Sequence, residues 1–189
     1  KSDALSTVYQ ILIGRSTMRG TSLRTEFGFD LMPANRELAG AEIDLINLGK
    51  REYRLRDALA DIRGDYDFIV MDCPPALNLL TVNGLVAADT VMIPMQCEYY
   101  ALEGLTDLVA TLKKVRAKLN PVLEIEGLLR TMYDPRSTLT QQVSRELERH
   151  FGSKVYRTIV PRNVRLAEAP SYGKPVIAFD RGSKGAQAY

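Results

Sequence analysis

"YDFIVMDCPPALNLLTVNGL", residues 66–85, is the stretch on which the fold reading turns. It is apolar from Phe68 to Met71, stops on the carboxylate Asp72 and runs at once into Pro74-Pro75. A short apolar run without polar alternation reads as a strand buried on both faces. The two prolines forbid regular structure directly after it. An acid at the carboxyl end of such a strand is well placed to reach Mg²⁺ through water, as Walker-B acids do in phosphate-transfer sites. On this feature alone, an acid that merely caps the following turn is the simpler alternative.

Outward from this stretch, helical and strand patterns alternate. "DALSTVYQILIG" sets Leu5, Val8, Ile11 and Leu12 on one stripe and reads as a helix. "EFGFDLMPA" alternates Phe27, Phe29 and Leu31 and reads as a short strand closed by Pro33. "NRELAGAEIDLINL" and "RLRDALADIRG" read as helices. "TVMIPMQ", "EIEGLLRTMY" and "KVYRTIVP" read as strands. Between them lie the amphipathic "ALEGLTDLVATLKKVRAKLN" and "STLTQQVSRELERHFG", the latter capped by Ser137 or Thr138. Such alternation predicts one α/β domain, a mostly parallel sheet with helices on both faces. Ligands of these sheets sit at the carboxyl ends of the strands. Asp72, Gln96-Cys97-Glu98, Thr131-Met132 and Pro161-Arg162-Asn163 all occupy such ends.

Composition is that of a globular domain, 46% hydrophobic and 25% charged over 189 residues. No apolar run approaches the roughly 20 residues of a membrane span. Cys73 and Cys97 form no CxxC, so two free thiols are expected before a disulfide or metal pair. The net charge of +2 is unevenly placed. Residues 130–189 hold 11 Lys/Arg against 5 Asp/Glu, a balance of +6, and residues 1–129 hold 14 against 18, a balance of −4. A polyanion partner for the last third and a plain solvated basic face both fit that asymmetry.

The blocks "DFIVMDCPPALNLLTVNGL", "VMIPMQCEYYALEGL", "GLLRTMYDPRSTLTQQV" and "TIVPRNVRLAEAPSYGKPV" resemble, in that order, the ParA/Soj family of chromosome- and plasmid-partition ATPases. The resemblance runs from "MPANRELAGAEIDL" to "GSKGAQAY". It implies a deviant-Walker P-loop NTPase fold and a cytoplasmic, nucleoid-associated protein that uses ATP and Mg²⁺. It also implies dimerisation around ATP, DNA binding without sequence preference, and hydrolysis stimulated by a ParB-type partner. By the same resemblance Asp72 is the Walker-B acid, acting on Mg²⁺ or on the attacking water. Pro74, Pro75 and Asn83 fall in the switch that senses the γ-phosphate. Thr131, Met132, Pro161 and Asn163 form the adenine-side wall. Arg136 and Arg165 match positions that hold DNA phosphate, with Arg162 assisting. Arginine suits that role because its planar guanidinium stays charged and donates bidentately.

No GxxxxGK[ST] occurs in the 189 residues. "GRSTMRGTS", residues 14–22, has the wrong glycine spacing, no lysine, and follows a helical pattern. The resemblance places the P-loop, its strand and its helix ahead of Lys1, and a further helix after Tyr189. The expectation is therefore an incomplete domain that does not hydrolyse ATP or hold nucleotide tightly by itself, with exposed sheet edges that promote self-association. Two other readings are a non-enzymatic DNA- or partner-binding module and a MinD-like septum-site ATPase. "EYYALEGL" and "PRNVRLAEAPSYGKP" favour the partition branch, and no membrane partner is expected. His150 reads as a surface residue, Met71, Met92 and Met95 as core, and "KKVRAK" as a solvated helix face.

Overall fold

The computed structural model describes residues 6–74, 76 and 78–189, and these form two units. The first comprises residues up to Asp89 together with Thr111–Leu123; the second comprises Thr90–Ala110 and Glu124–Tyr189.

The first unit opens with α1 (Val8–Leu12), whose start is set by a capping box. Gln10 Oε1 accepts the Thr7 backbone N–H at 2.8 Å, and Thr7 caps from the other side. After α2 (Met18–Thr21), β1 (Leu23–Arg24) and β2 (Asp30–Leu31) pair antiparallel. Of the strand expected around Phe27, Phe29 and Leu31, only Asp30–Leu31 forms, as one arm of a small hairpin, and Phe27 and Phe29 lie in the turn before it. Gly28, at φ +88°, supplies the left-handed residue of its turn. Helices α3 (Ala41–Ile46), α4 (Arg54–Leu59) and α5 (Leu79–Ala87) follow. The core gathers Leu12, Ala41 and Leu45 in one cluster and Ile11, Met18 and Ile62 in another.

Two buried asparagines tie this unit together. Asn83 Nδ2 donates to the carbonyls of Arg51 (2.8 Å) and Leu79 (3.0 Å), and its Oδ1 accepts the Leu55 N–H (3.1 Å). Leu55 lies in the first turn of α4, where backbone donors lack helical partners, so Asn83 caps α4 from another element. Asn120 Nδ2 reaches the carbonyls of Leu85, Val86 and Ala88 at 3.0, 3.2 and 2.8 Å, closing the end of α5.

The expected doubly buried strand at "DFIVMD" is corrected. Residues 67–72 enter no ladder among the described residues, and Phe68 and Val70 are 87% and 91% exposed. A strand needs neighbours that satisfy its backbone groups and cover its faces, and an apolar run supplies neither by itself.

The second unit is built on a parallel sheet in the order β3 (Thr90–Gln96), β4 (Glu124–Tyr133), β5 (Val155–Pro161). Parallel neighbours need crossover connections, and helices lie on both. α6 (Tyr99–Lys118) leads from β3 towards β4, its residues 111–118 belonging to the first unit. α7 (Thr138–Phe151) connects β4 to β5 and is capped by Ser137. β3 alternates buried Ile93, Met95 and Cys97 with exposed Met92, Pro94 and Gln96, so Met92 is not the core residue expected. Pro94 fits because β3 is the outer strand of this sheet among the described residues. Leu128 on β4 and Leu147 on α7 are fully buried. The short helices α8 (Val164–Glu168), α9 (Val176–Phe179) and α10 (Lys184–Ala188) complete the unit.

Arg130 is a charge inside this second core, 5% exposed. It donates to Ser144 Oγ (2.7 Å), to Glu148 and to the Tyr156 carbonyl (2.8 Å), joining β4, α7 and β5. Its Nε is buried without a partner. No helix among the described residues is long and apolar enough to cross a membrane.

Candidate functional site

The register of the second unit brings three strand ends level. Gln96 pairs with Thr131, and Tyr133 pairs with Pro161. The Arg162 N–H then reaches the Tyr133 carbonyl at 3.3 Å, extending the pairing past the sheet. Thr131, Met132, Pro161, Arg162 and Asn163 therefore converge at one edge, as strand-end reasoning predicts. Asn163 also caps α8 through the Arg165 N–H at 3.0 Å.

A cleft of about 470 Å³ opens there. Gln96, Cys97, Glu98, Tyr99 and Tyr100 line one side, and Met132, Asp134, Ser137, Leu139, Thr140 and Arg162 the other. Thr131, Pro161 and Asn163, at the same strand ends, are not among the residues that line it. Tyr99 and Tyr100 meet edge to face, with centroids 5.4 Å apart at 85°. Their signal in the sequence is an aromatic pair directly after a strand's carboxyl end. Met132 has φ +48° and is 43% exposed. A left-handed conformation costs a non-glycine residue roughly 1–2 kcal/mol, so the surrounding backbone imposes it. Cys97 is buried, and burial pushes its thiol up, which makes it a packing residue. Both cysteines are free thiols, as expected.

The arginines stand beside this edge, each with carboxylates. Arg136 Nε and Nη2 donate to Oδ1 and Oδ2 of Asp134, both at 3.0 Å. Arg165 Nη1 lies 2.8 Å from Glu168, and its Nε lies 3.3 Å from Asp180. The hydrogen bonds from Arg136, with the charges of Arg136 and Arg162, hold the Asp134 carboxyl down to about 2. Sequence reasoning did not single out Asp134. Its signal is "DPRS", an aspartate two residues before an arginine at the head of a helix.

In the first unit, Asp72 and Pro74 are exposed, while Asn83 is 1% exposed and fully hydrogen-bonded. Pro75 lies outside the described residues. The Cys73 sulfur packs over Gly84, where a Cβ would sit 2.8 Å from it. Among the described residues no three His, Cys, Asp or Glu side chains gather into a metal cage. His150 sits on the surface of α7, its Nδ1 2.8 Å from the Glu146 carbonyl.

A family model described as an AAA domain matches residues 1–125. The chromosome partitioning protein ParA of Caulobacter vibrioides strain NA1000 is 50% identical over 187 residues, covering 97% of this chain and 70% of that protein. The chain belongs to the ParA/Soj family of chromosome-partitioning ATPases. The sporulation initiation inhibitor protein Soj of Bacillus subtilis strain 168 is 49% identical over 190 residues, covering all of this chain and 75% of Soj. Among solved structures, the cobyrinic acid a,c-diamide synthase of Mycobacterium smegmatis with bound ATP analogue and magnesium superposes with a TM-score of 0.83. It is 36% identical, with 99% of this chain and 69% of that one covered. The fold of this ParA/Soj member is thus the P-loop NTPase-like α/β fold.

Proposed function

We propose that this chain works in DNA segregation as part of a cytoplasmic, nucleoid-associated partition ATPase whose P-loop is supplied from outside these 189 residues, and that it does not hydrolyse ATP by itself. In this reading it dimerises with ATP, binds DNA through phosphates rather than bases, and is stimulated by a ParB-type partner. The observation that carries the reading is the shared strand-end edge. There a cleft is lined by Arg162 and by Asp134, the partner of Arg136. Met132 and the tyrosine pair offer the flat apolar contacts a base needs, with Thr131, Pro161 and Asn163 at the same strand ends. Asp72 would hold Mg²⁺ through water. Magnesium, when bound, neutralises charge on the phosphate oxygens. Asp72 and Pro74 lie on a segment that enters no sheet among the described residues.

Arg136 and Arg165 each supply a phosphate contact in this reading. Non-specific binding rests on charge neutralisation and counterion release. Arg136→Ala or Arg165→Ala should weaken binding to all sequences about equally. Each should lower the magnitude of the log-salt slope by about 1, or nearer 2 in a dimer that presents the site twice. Titrating the full-length protein, P-loop included, and both variants against two unrelated duplexes at several salt concentrations, with Mg-ATP affinity measured alongside, tests this. Unchanged DNA affinity in both variants returns the basic third to a solvated surface. Loss of nucleotide together with DNA places the arginines in the fold or the dimer contact.

A further inference from the structure

We propose that Asp134 is an internal stand-in for a DNA phosphate, clamping Arg136 in the two-pronged geometry a phosphate would take, so that DNA binds only by displacing it. This rests on the reading of Arg136 as a phosphate contact.

The guanidinium edge that donates to Asp134 through Nε and Nη2 is an edge with which arginine forks onto carboxylates and phosphates alike. The clamp is held by the backbone and not by chance contact. Asp134 Oδ1 also accepts the Arg136 N–H at 3.0 Å, an Asx turn that fixes the carboxylate two residues ahead of its partner. The Asp134 carbonyl takes the Ser137 N–H at 3.1 Å, and the Pro135 carbonyl takes Gln141 Nε2 at 2.7 Å. The turn is thereby locked to the head of α7. Asp134 is half-buried, whereas the Arg136 side chain is 88% exposed. A polyanion can therefore reach the arginine, with the turn-held carboxylate as its competitor. The low protonation point of Asp134 keeps it charged throughout the neutral range. A carboxylate in this position lowers affinity for every polyanion equally, which sets a threshold without reading sequence.

Asp134→Asn separates the clamp from the turn. Asparagine keeps an oxygen for the Arg136 N–H but loses the charge and turns a donor toward the guanidinium. DNA affinity should rise about 2- to 5-fold, the worth of one exposed ion pair. The magnitude of the log-salt slope should rise by up to about 1, because no freed carboxylate takes up a cation. Asp134→Asn/Arg136→Ala should bind no tighter than Arg136→Ala. Asp134→Ser, whose hydroxyl also supports such a turn, should reproduce the gain if the asparagine variant folds poorly by circular dichroism. A folded Asp134 variant with unchanged or weaker binding, while Arg136→Ala still weakens it, overturns the clamp alone. Wild-type binding by Arg136→Ala overturns the phosphate reading of this arginine, and the clamp with it.

Discussion

Asn83→Leu should destabilise the first unit by about 2–5 kcal/mol, read as a shift in the urea midpoint followed by circular dichroism. Leucine keeps the branched shape of asparagine but is bulkier and carries no polar atom, so lost hydrogen bonds and some overpacking both contribute. It strands the Leu55 N–H and the Arg51 carbonyl, both partnered by Asn83 in a site 1% exposed. A buried group left without a partner costs about 1–3 kcal/mol. The Leu79 carbonyl suffers less, because it remains within α5. Asn83→Asp should fall between leucine and wild type, keeping the acceptor for Leu55 and losing both donors. A loss below about 1 kcal/mol for leucine would mean that water replaces these bonds. The switch role proposed for Asn83 and this bracing role are compatible, since a switch needs a fixed side to move against.

The second large effect belongs to Arg130→Met, expected to cost the second unit about 2–4 kcal/mol. The methionine stem fills the space but leaves the Tyr156 carbonyl and Ser144 hydroxyl without the guanidinium. Glu148 is half-exposed and returns to water at little cost. The informative comparison is Glu148→Gln. It removes the one counter-charge from a guanidinium whose Nε already lacks a partner, so it should cost more than the usual surface substitution. Thermal melting of both variants decides the matter. If Arg130→Met is as stable as wild type, the buried charge contributes position and no stability.

The parts of the fold legible in the sequence share one property, that their determinants are local. β3 and β4 span the residues expected of them, and β5 all but Lys154, because each apolar run is closed by adjacent turn chemistry. Ser137 was one of two cap candidates for α7, and its hydroxyl accepts the Thr140 N–H. "DFIVMD" carries the same local pattern and yet has no ladder among the described residues. An apolar run encodes suitability for burial, not the identity of the neighbour. The site divides along the same line. Thr131, Met132, Pro161, Arg162 and Asn163 could be placed at strand ends because strand ends are local features. The tyrosine pair became part of the cleft only through the β3–β4 register. Asn83 gave no hint of its bracing bonds, because Arg51 and Leu55 are remote in sequence.

The two bracing asparagines also differ in chemical durability. An asparagine loses its amide when the next residue's backbone nitrogen attacks the side-chain carbonyl. Asn120 is followed by Pro121, which has no N–H to ionise and attack. Asn83 is followed by Gly84, the least hindered of neighbours, and is protected only by the helix and by the bonds that pin its side chain. Each excursion to the unfolded chain therefore starts a clock at residue 83 that does not run at residue 120. An aspartate formed there has no donors for the Arg51 and Leu79 carbonyls, so unfolding becomes less reversible the longer it lasts. Peptide mass analysis after timed incubation in urea should find the amide lost at position 83 and retained at 120. Equal loss at both positions would show that the following residue does not govern the ageing.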